Sequence, residues 1–164
     1  MTPKSPNQPT PSDGVFRPAL KGCVARDPRM AGMLAEDFRN CLCSIAANTY
    51  RAILTKDLSA SSLFEKLIRE DTALLRQLGE LILALGGPPS LCAQLRVLPA
   101  EGAPYSRGPC TSQLLREALR ENKHAIDGLQ TKMGQTADRV VRSVLSQLLT
   151  DRHLLSDQIL SLLA

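Results

Sequence analysis

The chain has 164 residues, of which 43% are hydrophobic and 22% charged, with five aromatic residues and no Trp, a composition that suits one globular domain with an aliphatic core. The formal charge of +4 sits mostly in residues 1–31, where five cations face two carboxylates, so the rest is nearly neutral and offers neither a basic groove nor a stacking platform for nucleic acid. No run of about 18 apolar residues and no charged start leading into an apolar stretch occurs, which argues against a membrane span and a secretory signal and for a cytoplasmic protein.

Proline organises the chain. All 11 prolines fall within residues 3–28 or 88–109. A Pro in a helix interior costs about 3 kcal/mol, so the two Pro-free stretches are free to be helical throughout. Residues 1–29, beginning PKSPNQPTPSDG after the first two, read as a flexible, polar, Pro-rich tail. A first helix is predicted over 30–57, with an inward stripe of Leu34, Phe38, Cys41, Leu42, Ile45, Asn48 or Thr49, and Ala52. The run Lys56-Asp57-Leu58-Ser59-Ala60-Ser61-Ser62 interrupts it, and Ser62 with Glu65 forms a capping box for a second helix over 62–86. Gly86-Gly87-Pro88-Pro89 stops that helix.

A crossover over 88–110 follows. Thr111 or Ser112 can cap a third helix over 112–133, which Gly134 ends, and Thr136 can cap a fourth over 136–163. The helices are roughly 22–28 residues long, or about 33–42 Å. Two tight hairpins joined by a crossover long enough to travel the length of a helix predict an all-α four-helix bundle.

Three of the four apolar stripes are broken once by a polar residue. In helix 2, Asp71 stands among Phe64, Leu67, Ile68, Leu74, Leu75, Leu78, Ile82 and Leu85. In helix 3, Asn122 stands among Leu115, Ala118, Leu119, Ala125, Ile126, Leu129 and Met133, and in helix 4 Arg152 interrupts Val141, Val144, Leu145, Leu148, Leu155, Ile159 and Leu162. Cys41 is the matching position of helix 1. A carboxylate on a buried face costs several kcal/mol unless a cation, metal or strong donor meets it. Either the fork of Arg152 reaches Asp71 across the bundle, or a rotated helix leaves one or both in solvent.

Hairpin, crossover, hairpin, with one polar position per helix, resembles the ferritin-like superfamily of di-metal carboxylate proteins. The segment LFEKLIREDTALLRQLGELILALGGPP is similar to small bacterial members related to rubrerythrin and manganese catalase, whose second helix carries Glu-x-x-His before a Leu-Gly-Glu-Leu-Ile stretch and a closing Gly-Gly. The resemblance implies a ferritin-like bundle and a metal layer holding Cys41, Asp71, Leu74, Asn122, Arg152 and Leu155. It also implies that the ligands are lost. A di-metal centre takes a Glu from each of two helices and Glu-x-x-His from each of the other two. Here Asp71 and Leu74 stand for one Glu-x-x-His, Arg152 and Leu155 for the other, Asn122 replaces a Glu, and helix 1 has no acidic residue between Asp37 and Asp57. No cofactor and no bound metal are expected.

The remaining candidates read as structural. His153 beside Asp151 and Asp157, and His124 with Glu121 and Asp127, are conceivable small metal sites that read better as exposed charged faces. Five cysteines without a secretion signal favour free thiols: Cys41 and Cys43 point about 200° apart and read as buried structural thiols, while Cys92 and Cys110 share the crossover. No phosphate loop and no nucleophile with its base can be assembled. The expectation is a non-catalytic structural or protein-interaction component, with a protein partner or self-association. The alternative is a divergent ferritin-like protein using iron or manganese for redox or iron handling.

Overall fold

The computed structural model describes residues 24–87 and 110–164, so residues 1–23 of the expected tail and nearly all of the crossover, Cys92 included, lie outside the described residues. The described residues form four helices: α1 (Pro28–Leu54), α2 (Leu58–Ala84), α3 (Thr111–Gln135) and α4 (Arg139–Leu163). They pack as two hairpins, α1 on α2 and α3 on α4, with narrower seams between α1 and α3 and between α2 and α4.

The helix starts differ from the expected ones, and side-chain acceptors explain why. Asp27 accepts a hydrogen bond from Met30 N at 2.9 Å with Pro28 behind it, so α1 begins inside the stretch expected to be tail. The Asp27 amide also donates to Leu85 O at 3.0 Å, tying the start of α1 to the end of α2. Asp57, not Ser62, caps α2, accepting from Ala60 N at 2.8 Å, and the serine run becomes its first turn. Neither Thr111 nor Ser112 caps α3, which has Cys110 at that position without a side-chain cap. α3 runs through Gly134 to Gln135, and Asp138, not Thr136, caps α4, accepting from Val140 N and Val141 N at 2.8 and 3.1 Å.

The expected stop of helix 2 has a specific form. Gly86 adopts φ +86°, its N–H bonds Leu83 O at 3.1 Å, and the Gly87 N–H bonds Ile82 O at 2.9 Å. These are the paired bonds of a helix end closed by a left-handed residue, a conformation that glycine adopts without steric cost.

The core has two apolar halves. One gathers Leu34, Leu78, Leu81, Ile82, Leu129, Val141 and Leu145, and the other Phe64, Leu67, Leu114, Leu115, Leu155 and Ile159. Asp71 lies between Leu67 and Leu74 in sequence, Asn122 between Ala118 and Ile126, and Arg152 between Leu148 and Leu155, so the polar layer falls where the halves meet. Leu162 is exposed, and Leu163 takes its place against the core.

Candidate functional site: an ion pair at the centre of the bundle

Asp71 projects from the middle of α2 and Arg152 from the middle of α4. Their Oδ1 and Nη2 atoms stand 2.5 Å apart, with side chains 0% and 7% exposed. The approach lies outside hydrogen-bond angles, so the contact is an ion pair rather than an aligned hydrogen bond. The directed hydrogen bond to Asp71 comes from Ser44, whose hydroxyl donates to Oδ2 at 2.6 Å.

The guanidinium is held on its other sides. Nη1 donates to Asn122 Oδ1 at 3.2 Å and Nη2 reaches Cys41 Sγ at 3.7 Å. Asn122 fixes itself by donating Nδ2 to Arg152 O and to Ser156 Oγ, both at 2.8 Å. Cys41, Asp71, Asn122 and Arg152 therefore share one layer, with a residue from each helix. Leu74 and Leu155 are buried one turn along α2 and α4, in the apolar halves that border it. Burial pushes the Cys41 thiol up to about 12, against the opposing effect of Arg152.

A polar file on α1 extends the layer. Asn48 donates to Ser44 Oγ at 3.2 Å and accepts from Arg51 Nη1 at 2.8 Å. Arg51 in turn forks onto Glu121 of α3, with contacts of 2.8 and 2.5 Å. A second buried pair, Lys132 Nζ with both Asp37 oxygens at 3.1 Å, joins α3 to α1 further along. The sequence reading passed over Ser44, Arg51, Asp37, Lys132 and Ser156. The signal for the first three was present: Asp37, Cys41, Ser44, Asn48 and Arg51 recur at steps of three and four and so share one face of α1.

One expectation needs correction and one open alternative is resolved. Cys43 is exposed and only Cys41 is buried, because two steps of a helix turn the sulfurs to opposite sides. Of Asn48 and Thr49, the two inward positions left open on α1, Asn48 is buried, while Thr49 is exposed and bonds back to Ile45 O at 2.7 Å. His124 and His153 are both exposed, and no group of three or more His, Cys, Asp or Glu side chains converges among the described residues.

No family model and no curated protein matches the chain. A solved structure, Dps from Thermosynechococcus elongatus, aligns with a TM-score of 0.67 at 18% identity over 83% of this chain and 90% of that one. The chain has the ferritin-like fold. At that identity the likeness concerns the fold alone.

The di-metal centres known in this fold provide a test of the layer. Two hard cations need several bridging and terminal carboxylates with imidazole nitrogens. The central layer here offers one carboxylate, already met by Ser44 and Arg152, together with an amide, a thiol and a guanidinium that repels dications. These residues do not fit such a centre. What the arrangement can do is hold four helices in register: each polar group of the layer selects its partner on another helix.

Proposed function

We propose that this ferritin-like bundle is non-catalytic, that its layer of Cys41, Asp71, Leu74, Asn122, Arg152 and Leu155 is a vestige of a di-metal site, and that it serves as a structural or protein-interaction component in the cytoplasm. The observation that carries the reading is Arg152 seated against Asp71 in the middle of the bundle. In surroundings of low dielectric the guanidinium supplies the counter-charge that a metal supplies elsewhere in the fold, and leaves a dication without ligands. Support for a partner-binding role comes from the surface: Ile53 and Leu58, beside the turn between α1 and α2, are 74% and 87% exposed. Among the described residues no helix is long and apolar enough to cross a membrane, so a protein partner or a second copy is the occupant proposed for this apolar end.

Elemental analysis of chain purified without chelator tests the metal half of the reading. Less than about a tenth of an equivalent of iron or manganese is expected, and a stoichiometric amount would overturn it in favour of a divergent redox or iron-handling protein. Sedimentation velocity tests the other half. Ile53→Asp with Leu58→Asp should lower self-association, or the affinity for an identified protein partner, at least tenfold without altering helix content. Unchanged association would remove this end of the bundle from the account.

A further inference from the structure

Between α1 and α3 a cleft of about 540 Å³ runs from the surface to the central layer, a size within the range of small-molecule sites, about 300–1,000 Å³. Its position follows from the side chains on the seam. Ser44 and Ala47 of α1 face Ala118 and Ala125 of α3, too short to meet, while Leu74 and Leu78 of α2 form an apolar floor. The ends are pinned. Asp37 with Lys132 ties the helices at one end and Arg51 with Glu121 at the other, about 21 Å apart along α1.

Charge narrows the occupant. Each ionic group buried along the cleft faces an opposite charge: Asp37 has Lys132, Arg51 has Glu121, and Arg152 has Asp71. Arg120 and His124 lie at the mouth, exposed to water. A charged ligand would lose its hydration without gaining a free counter-charge inside. Arg152 lines the cleft, but its Nε, without a hydrogen-bond partner among the described residues, is enclosed away from solvent, so the polar groups a ligand meets are those of the wall and mouth, such as Asn40, Arg120 and His124. We propose that the α1–α3 cleft binds a small, neutral, mainly apolar molecule. The proposal stands on the cleft itself and does not depend on whether the central layer descends from a metal site.

The test uses the full chain and the neutral naphthalene ketone prodan, whose fluorescence reports apolar surroundings. Saturable binding of one prodan per chain is expected, with Ala47→Phe and Ala125→Phe each weakening it at least tenfold while helix content stays constant. The anionic probe anilinonaphthalene sulfonate should bind at least tenfold more weakly. Cys43 gives a readout that needs no variant, since it is exposed and lines the cleft. Saturating prodan should slow its alkylation by iodoacetamide at least fivefold, with Cys110, which does not line the cleft, unchanged. Absence of saturable binding, as would follow if residues 88–109 of the chain fill the cleft, overturns the proposal. So does an unprotected Cys43, or equal affinity for the anion. Should the Phe variants fail to fold, Cys43 protection in the unaltered chain decides.

Discussion

Cys41 shows how one buried position sets the chemistry of a side chain. Enclosure by the bundle pushes its thiol up from 9.0 to about 12, which lowers its thiolate share about a thousandfold near neutral pH. Cys110 differs, since the Ser112 hydroxyl 3.3 Å away favours its thiolate and draws its pKa below the usual value. Alkylation followed by mass mapping should therefore find Cys110 and Cys43 modified in the folded chain and Cys41 intact until unfolding. Modification of Cys41 at the rate of Cys43 would show that the layer opens readily. Asp37 makes a second prediction. Burial raises its pKa above 3.8, with Lys132 opposing the rise, so between these values the folded chain binds a proton that the unfolded chain has released. Its contribution is full below pH 3.8 and is lost as pH rises through the raised value. In urea unfolding, the stability of the natural chain relative to Asp37→Asn should fall as pH rises from 3.8 towards neutrality. A relative stability that grows with pH would mean that attraction to Lys132 outweighs the cost of burial. Asp71, Asn122 and Arg152 were legible in the sequence because each interrupts an apolar stripe. Asp37, Ser44 and Arg51 leave a weaker trace: they share one face of α1 with Cys41 and Asn48 but interrupt no apolar run, so that face reads as solvent-facing until α3 is known to cover it.

At the scale of helices, the distribution of proline marks two stretches where helix can continue, and the polar run at 56–62 and Gly134 divide them into the four helices of two hairpins. The starts were less legible. Ser62 with Glu65 matches a capping box, but a motif only offers a hydrogen bond, and Asp57 makes its own five residues before the box can act. Extension of α2 to Leu58 also buries Ala60, 1% exposed, against Phe64 and Leu115 in one half-core. Asp57→Ala should cost about 1 kcal/mol of unfolding free energy by loss of the cap, whereas Ser62→Ala, inside the helix, should change it by less than about 0.5 kcal/mol. The reverse order in a denaturant series would return the start of α2 to Ser62. Among the described residues, only Pro28 and Arg29 of the expected tail fall in helix, for a similar reason: polarity and proline suggest a tail, but Asp27 followed by Pro28 is also a helix start.

In the whole molecule, two apolar half-cores meet at a layer where two opposite charges are buried, and those charges come from different hairpins. Asp71 belongs to the α1–α2 hairpin and Arg152 to the α3–α4 hairpin, so their contact, with the Asn122 and Ser44 bonds around it, fixes one hairpin against the other. The desolvation of both groups largely offsets their attraction, so the pair adds little net stability and instead penalises any arrangement that separates it. A double-mutant cycle measures this directly: urea unfolding of the natural chain, Asp71→Leu, Arg152→Leu and the double variant. Each single change should cost about 3–5 kcal/mol by stranding a buried charge, and the double change far less, for a coupling of about 2 kcal/mol or more. A coupling below about 0.5 kcal/mol would mean that the two residues act independently, and would contradict an ion pair at the centre of the bundle.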